Sequence, residues 1–286
     1  MQIRNYQYIV PTKVVNDHIE IDGVNREDYA TSQFITRVNE MVLDRPTAVL
    51  YAGGVGIAQS ETRDVTSVNS RYVGTVDYQR STMLIKEISA YSLHKWIGSM
   101  VNNEYVTYAN VNHNTCASSM FSLYEAERLL ESGEIEEVIV IAEERTSFNT
   151  IRIFKEHAIP LIVSDGFAIV RLWNGDGVEI KDTKWKYSWN RNPFGTTVGG
   201  YAMVDSDVSI IKPHGTGTNN NNKAEEELVK DRKVIYYKKD IGHSQGASAL
   251  LELCMLIDDD SVNGDVLCVA SGLGGFYGSC ILSKTN

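Results

Sequence analysis

The sequence has no apolar run long enough to cross a membrane, because its longest candidates, such as residues 138–142, are only the length of a strand. Residues 1–5 lack the charged-then-apolar layout that opens a signal peptide. Basic residues are outnumbered by acidic ones, and the net charge of −10 disfavours a nucleic-acid partner, which needs a basic face. We therefore expect a cytoplasmic protein that binds neither membrane nor nucleic acid.

Cysteine is scarce, and its spacing argues against two kinds of site. The four cysteines form no CxxC pair and have no nearby histidine pattern, which disfavours both a zinc site and a disulfide framework. We therefore expect no metal. Cys254, Cys268 and Cys280 lie in apolar stretches and are interpreted as small buried hydrophobic residues. Cys116 differs from them because it follows a strand-like segment.

Strand-like and helix-like segments alternate along the 286 residues, which favours a layered α/β fold. The pattern starts again after the turn residues 174–177, so we expect one half over residues 1–174, carrying Cys116, and another over residues 175–286. Asn219 to Asn222 are interpreted as a short polar loop. Strands are predicted over 47–51, 105–111, 137–142, 167–172, 208–212, 233–237, 266–270 and 280–283, and helices over 81–100, 119–132, 224–230 and 247–257.

Cys116 lies in a context typical of a nucleophile. A strand leads into Asn114-Thr115-Cys116, and small residues then open the predicted helix. A helix N-terminus is one of the environments that lower a thiol pKa, so we expect the pKa of Cys116 to be lowered. An isolated cysteine would more often be buried and inert, but a strand, a cysteine and small residues before a helix favour a nucleophile.

Two histidines follow predicted strands and precede glycines. His214 lies in Pro213-His214-Gly215, and His243 lies in Gly242-His243-Ser244. Either one alone would more often be a structural histidine. Together, downstream of a cysteine nucleophile, they can donate hydrogen bonds to one thioester oxygen and stabilise an enolate.

Two other motifs are weaker. Gly242 to Gly246 fits the G-x-S-x-G nucleophile elbow of hydrolases, but such an enzyme needs a histidine after the serine, and no histidine follows Ser244. The segment Gly53-Gly54-Val55-Gly56 lacks the spacing of a dinucleotide-binding loop. We therefore do not expect a hydrolase elbow or a dinucleotide cofactor.

The motifs resemble those of the elongating β-ketoacyl synthases, the Cys-His-His branch of the thiolase-like condensing enzymes. The segment at Cys116 is similar to T-A-C-x-S, and residues 214–218 match H-G-T-G-T. Residues 238–246 match K-x-x-x-G-H-x-x-G, and residues 272–275 resemble the C-terminal glycine loop. The resemblance implies an α/β thiolase-like fold of five layers, αβαβα, built from two pseudo-repeated halves.

The resemblance also implies a role for each matched residue. Cys116 would take an acyl chain from a carrier, and His214 and His243 would drive the decarboxylation of a malonyl unit. Lys238 and Glu225 would hold the histidine turns through a charged pair. The activity implied is that of a 3-oxoacyl-carrier-protein synthase in fatty-acid or polyketide biosynthesis.

The substrates implied are thioesters of phosphopantetheine, with no further cofactor. The backbone amides of Cys116 and Leu273 would form the oxyanion hole. The partners implied are an acyl carrier protein or a coenzyme A thioester, and a second subunit bound through the strand near residues 105–111, as a homodimer or as a heterodimer with another ketosynthase. The residues expected to contact the pantetheine-bound substrate are Thr216, Thr218, Gly274 and Gly275.

Departures from the family pattern keep other functions open. The chain is shorter than usual for this branch, and Leu273 stands where a gating phenylalanine usually lies, so we expect a more open acyl pocket unless Phe276 and Tyr277 fill it. One alternative is a non-condensing acyltransferase or thioesterase that uses the same cysteine. Another is a non-catalytic partner subunit of a ketosynthase, although such partners usually lose the cysteine.

Overall fold

Thirteen strands are found in the part of the chain that the computed structural model describes, which comprises residues 1–22, 41–53, 104–144, 146, 151, 154–156, 159–188 and 195–284. The helix predicted over residues 81–100 and most of the 53–56 glycine segment lie outside these residues. In chain order the strands are β1 (Gln2–Ile9), β2 (Lys13–Val15), β3 (His18–Glu20), β4 (Thr47–Gly53), β5 (Val106–Asn112), β6 (Glu137–Glu144), β7 (Val163–Ser164), β8 (Gly166–Trp173), β9 (Val178–Tyr187), β10 (Ile210–Lys212), β11 (Lys233–Val234), β12 (Gly264–Gly272) and β13 (Phe276–Lys284).

Ten of these strands form two five-stranded units of the same design. The first has the order β5-β4-β6-β8-β1, and the second has the order β11-β10-β12-β13-β9. In the first, β4 runs parallel to β5 and β6, while β8 is antiparallel to β6 and β1. In the second, β10 likewise runs parallel to β11 and β12, while β13 is antiparallel to β12 and β9. The topology therefore repeats although no sequence repeat is visible.

The two units join edge to edge, where Gln2 pairs with Glu179 and Ile3 with Val178 across β1 and β9. A separate small sheet of order β2-β3-β7 lies beside them. The division between residues 174 and 175 falls in the connection between β8 and β9 and stays a prediction.

Five helices lie wholly within the described residues, and they set the layers. They are α1 (Ser118–Ser132), α2 (Val198–Ala202), α3 (Asn219–Val229), α4 (Lys238–Ile241) and α5 (Ser248–Asp258). Helix α1 contacts β4 and β6 on one side and β9 and β13 on the other, and α5 packs beside it. Thus α1 and α5 form the middle layer between the two five-stranded units, and α2 and α3 cover the outer face of the second unit. None of the described helices is long and apolar enough to span a membrane.

The buried strands separate three apolar clusters. Strand β6 is buried along its whole length because side chains on both of its faces are covered. Val138 and Val140 point into the middle cluster with α1 and α5, while Ile139 and Ile141 point into a cluster on the other face of the first sheet. A third cluster lies under α2 and α3. Layers of this kind, repeated in two halves, confirm the predicted fold class.

The prediction of a polar loop over residues 219–222 is wrong, because these asparagines form the first turn of α3. The Thr218 side chain caps the helix by accepting a hydrogen bond from the backbone N–H of Asn221. The Asn221 side chain in turn donates to Glu225 one turn along. Two local hydrogen bonds therefore offset the poor helix propensity of asparagine. The strand predicted over 233–237 is also shorter than expected, since β11 ends at Val234.

Candidate active site

Three turns carry the predicted reactive side chains, and those of Cys116 and His214 directly follow parallel strands. Cys116 lies in a 3₁₀ turn, Thr115–Ala117, between β5 and α1. His214 follows β10, and His243 lies between α4 and a second 3₁₀ turn, Gln245–Ala247, that leads into α5. The two 3₁₀ turns occupy equivalent places in the two halves and contact each other. The repeated topology therefore brings the cysteine turn to the turn after His243.

The two 3₁₀ turns share an unusual backbone. Thr115 has φ of 54° and Gln245 has φ of 40°, both in the left-handed region that non-glycine residues seldom adopt. Threonine is β-branched, so this conformation costs on the order of 1–3 kcal/mol. Its buried Oγ1 also has no hydrogen-bond partner in the described part of the chain. Strain of this kind, next to Cys116, is typical of a functional turn.

The two histidines lie side by side. Their ring centroids are 5.5 Å apart with the ring planes at 76°, and both side chains are buried. Burial lowers the pKa of each well below its usual range, and Lys238 and Lys212 lower both pKa values further. Both imidazoles are therefore neutral at pH 7. The Ser248 hydroxyl lies 2.9 Å from Nδ1 of His243, which leaves Nε2 of that ring for a substrate.

The predicted pair between Lys238 and Glu225 is wrong. The Lys238 Nζ lies 2.6 Å from Oε1 of Glu252 on α5, and Oε2 of Glu252 lies 2.5 Å from the Nζ of Lys212. Glu225 instead accepts hydrogen bonds from the backbone N–H of Gly215 and from Asn221, at 3.1 and 2.7 Å. Glu225 thus holds the His214 turn by its backbone and acts on the charge of Lys238 without a direct ion pair, whereas Lys238 contacts Glu252.

Lys212 and Glu252 were not predicted as site residues, although the sequence contains a recognisable signal for each. Glu252 interrupts an apolar helical run, Leu250-Leu251-Glu252-Leu253, and a carboxylate in that position requires a buried partner. Lys212 ends an apolar strand two residues before His214. Sequence spacing does not reveal that the two meet, because β10 and α5 are brought together only by the fold.

The expected lowering of the Cys116 pKa is also wrong. Burial raises the pKa of Cys116 to about 12, the nearby Glu144 raises it further, and Lys238 only partly opposes them. The Glu144 carboxylate accepts a hydrogen bond from Gly246 N in the facing turn, at 3.2 Å. Burial and this anion outweigh the helix N-terminus. The resting thiol is therefore protonated at neutral pH, and its proton must leave when a bond to sulfur forms.

The glycine loop packs directly on the cysteine turn. A Cβ at Gly272 would lie 2.3 Å from the carbonyl oxygen of Asn114 and 2.6 Å from Oγ1 of Thr115, so only glycine fits there. Leu273 follows it and is 38% exposed. Gly274 and Gly275 have φ of 95° and 91° and turn the chain into β13. The oxyanion-hole role of Leu273 stays a prediction.

Aromatic side chains fill the space beside this loop. Phe276 stacks on Trp185 with centroids 5.7 Å apart, and Trp185 contacts Phe121 of α1 at 4.8 Å. Tyr277 is buried, and its hydroxyl accepts a hydrogen bond of 2.8 Å from Thr197 N. Phe276 and Tyr277, the two residues expected to fill the space beside Leu273, therefore pack next to the loop, while the openness of the acyl pocket stays a prediction.

Two threonines of the His214 turn make local contacts. Thr218 caps α3, and its Oγ1 lies 3.3 Å from Oγ1 of Thr216. Their contacts with pantetheine stay a prediction.

No protein-family model matches the chain, and no curated protein does. Solved structures match over nearly its whole length. A chain of the ishigamide ketosynthase/chain length factor aligns with a TM-score of 0.72 and 16% identity, covering 98% of this chain and 92% of that one. The chain has the ketosynthase fold.

Two further ketosynthase structures align in the same way. One is described as a type II PKS acyl-carrier protein in complex with its ketosynthase bound to the hexaketide, with a TM-score of 0.70, 13% identity and 99% of each chain covered. The other is a β-ketoacyl synthase from Burkholderia phymatum STM815, with a TM-score of 0.64, 13% identity, and 94% of this chain and 88% of that one covered. Sequence identities of 13–16% show a shared fold only, so the chemistry of this chain depends on its own residues.

In this ketosynthase fold the described turns carry a thiol, two neutral imidazoles and a buried charged cluster. A thiol can accept an acyl group, and two neutral imidazoles can each donate one N–H to an oxygen. The arrangement suits acyl transfer followed by stabilisation of an enolate.

Proposed function

We propose that this protein is a β-ketoacyl synthase that condenses a malonyl unit with an acyl chain held on Cys116. The observation that carries the proposal is the pair of neutral imidazoles, His214 and His243, which lie 5.5 Å apart, with His243 directly before the 3₁₀ turn that contacts the cysteine turn. A thioesterase or a simple acyltransferase needs one base, whereas two neutral N–H donors suit an enolate oxygen.

The first step is transfer of the acyl group to Cys116. The sulfur of Cys116 attacks the carbonyl carbon of a pantetheine thioester, forming a new S–C bond, and the pantetheine thiol leaves with the proton that Cys116 releases. Because the thiol of Cys116 has a pKa of about 12, a neutral imidazole must accept that proton during attack. Burial in the free protein keeps the thiol protonated until a thioester arrives.

The second step forms the carbon–carbon bond. The malonyl unit loses carbon dioxide, and the electron pair of the broken bond becomes an enolate whose oxygen accepts N–H bonds from His214 and His243. The enolate carbon then attacks the acyl carbonyl, and Cys116 leaves as a thiolate and regains a proton. The product is a β-ketoacyl thioester, lengthened by two carbons.

We propose an acyl carrier protein or coenzyme A as the carrier and a second subunit bound at β5. This strand ends the sheet, and its outer edge has no strand partner within the described ranges. Tyr108 on this strand and Tyr105 just before it are more than a third exposed. An unpaired edge is a ready template for a second strand. A homodimer and a heterodimer with another ketosynthase both fit this edge.

A second candidate is a non-catalytic partner subunit of a ketosynthase. It is favoured by the chain length factors named in the descriptions of several structural neighbours and by the high thiol pKa of Cys116. It is disfavoured by the presence of Cys116, His214 and His243, because a subunit that only shapes a tunnel needs none of them. A non-condensing acyltransferase or thioesterase would use Cys116 but not two histidines.

The three candidate functions are separated by supplying acyl-carrier and malonyl-carrier thioesters and following the products by mass spectrometry. Condensation should yield a β-ketoacyl carrier with one carbon dioxide for each product. Hydrolysis of the acyl carrier without a longer product would indicate a thioesterase. A longer product only when another ketosynthase is added, unchanged by Cys116→Ala, would indicate a non-catalytic partner and contradict the proposal.

A further inference from the structure

A series of buried side-chain hydrogen bonds joins the glycine loop to the His214 turn. It begins at Ser271, the residue before Gly272 near the end of β12, and its central member is Tyr201 on α2. The Tyr201 hydroxyl lies 2.9 Å from Oγ of Ser271 and donates a hydrogen bond of 2.6 Å to Oδ1 of Asn221. Because the single phenol proton goes to Asn221, the Ser271 hydroxyl is the donor to Tyr201.

The hydrogen bonds continue from Asn221 to the backbone beside His214. The Asn221 amide donates to Oε2 of Glu225 at 2.7 Å, and Oε1 of the same carboxylate accepts from the backbone N–H of Gly215 at 3.1 Å. Gly215 directly follows His214. By way of α2 and α3, the bonds therefore run from two residues before Leu273 to one residue after His214. We call the four side chains the Tyr201 network; they are Ser271, Tyr201, Asn221 and Glu225.

The Tyr201 network is buried and directional. Each of its four residues is at most 3% exposed. Its hydrogen bonds all point the same way, toward the Glu225 carboxylate, so they polarise one another in the low-dielectric interior. Burial raises the pKa of Tyr201 well above its usual range, and the phenol therefore stays a donor at neutral pH. A buried polar network whose members have partners makes the segments that it joins rigid with respect to each other.

The strand pairing between β10 and β12 stops before it reaches these two segments. Its last pair is Lys212 with Cys268, two residues before His214 and three before Ser271. Beyond that pair β12 continues against β13, while β10 gives way to the His214 turn. The Tyr201 network therefore continues the connection between the two segments where the shared ladder ends.

We propose that Tyr201 is a positioning residue of the condensation site, which holds the glycine loop and the His214 turn at a fixed separation. This inference rests on the proposed function, in which His214 binds the enolate oxygen and the backbone N–H of Leu273 is expected to bind the oxygen of the acyl group on Cys116. Decarboxylation needs the histidines alone. Formation of the carbon–carbon bond also needs the acyl carbonyl in register with the enolate, so it depends on the separation of the two segments.

The test is the yield of condensed product for each carbon dioxide released from acyl-carrier and malonyl-carrier thioesters. Tyr201→Phe removes only the hydroxyl and keeps the ring, which packs edge-on against Tyr277 with centroids 5.2 Å apart. In this variant carbon dioxide release should stay within about threefold of wild type while the yield falls about tenfold, because a misplaced acyl carbonyl is attacked slowly. The enolate then takes a proton instead, and the acetyl carrier that results is detected by mass spectrometry.

Ser271→Ala removes the other end of the same link and should lower the yield equally, and the double variant should lose no more than Tyr201→Phe alone. Tyr51→Phe is the matched control, since Tyr51 is a fully buried tyrosine of the first unit whose hydroxyl donates to Glu143 at 3.0 Å, and its yield should equal that of wild type. A folded Tyr201→Phe variant with the wild-type yield would overturn the proposal. If that variant does not fold, Ser271→Ala gives the same comparison.

Amide hydrogen exchange separates this inference from the proposed function. In Tyr201→Phe, exchange at residues 215–217 and 272–275 should become faster in both segments, because each loses its tie to the other, while Tyr51→Phe should change neither. If wild type forms no condensed product, the proposed function fails, and the exchange rates still decide whether Tyr201 holds the two segments together. Exchange at the wild-type rate in both segments of Tyr201→Phe would overturn the inference even in an active enzyme.

Discussion

Replacing His214 or His243 with alanine should lower the rate of malonyl decarboxylation by at least about a hundredfold. Each imidazole is proposed to donate one N–H to the enolate oxygen, and removal of one such donor costs about a hundred- to a thousandfold in other enzymes. Transfer of the acyl group to Cys116 should fall by less than about tenfold, because one neutral imidazole remains to accept the thiol proton. Release of labelled carbon dioxide and the mass of the acylated protein measure the two steps separately.

His18→Ala provides the control for these variants. His18 is also a buried histidine, but its ring bonds Glu20 on its own strand, at 2.8 Å, and is not part of the histidine pair. The rates of acyl transfer to Cys116 and of malonyl decarboxylation should therefore stay within about twofold of wild type, because this substitution lies away from the chemistry. Equal losses of acylation and decarboxylation in His214→Ala and His243→Ala would contradict the division of roles.

The Glu252→Gln variant should lose about 3–5 kcal/mol of unfolding free energy, since it removes the carboxylate between two buried lysines. Burial opposes the charge of Glu252, but Lys212 and Lys238 together lower the pKa of its carboxyl. A depressed carboxyl pKa stabilises the fold above the unfolded value of about 4.3, and that contribution is lost as pH falls through the lower folded value. The deficit of the variant should therefore be full at neutral pH and shrink only in acid.

Urea unfolding followed by fluorescence gives the measurement, and Glu131→Gln is the matched control. Glu131 pairs with Arg128 at 2.8 Å on the exposed face of α1, so its loss should cost less than about 1 kcal/mol. The triple variant Lys212→Met, Glu252→Leu, Lys238→Met should recover much of the lost stability, because no buried charge remains. A Glu252→Gln deficit no larger than that of Glu131→Gln would show that the cluster is not a buried charged unit.

The sequence predicted the fold well where local pattern and burial agree. Strand β6 was recognisable as an apolar run because both of its faces are buried, and α1 was recognisable because Gly133 ends it with a left-handed residue. The prediction for residues 219–222 was wrong because their composition alone indicates a loop. The helix cap by Thr218 and the hydrogen bond from Asn221 to Glu225 are specific contacts, and residue propensities do not predict them.

The site could be predicted only in part, for a related reason. The turns at Cys116, His214 and His243 have local motifs, so their positions along the chain were evident. The partner of Lys238 and the environment of Cys116 depend on tertiary contacts instead. Glu252 lies on α5 and meets Lys212 and Lys238 only in the folded chain, and Glu144 at the end of β6 bonds the turn that faces Cys116 and raises the Cys116 pKa. Charge and burial at that site are properties of the fold rather than of any motif.

The most direct test of the account is the site of acylation. Wild-type protein incubated with an acyl-carrier thioester should gain the acyl mass on the peptide that contains Cys116, and Cys116→Ala should gain none. Cys254, Cys268 and Cys280 are fully buried and should stay unmodified. Acyl mass on one of those cysteines, or undiminished acylation of Cys116→Ala, would contradict the claim that Cys116 carries the chain.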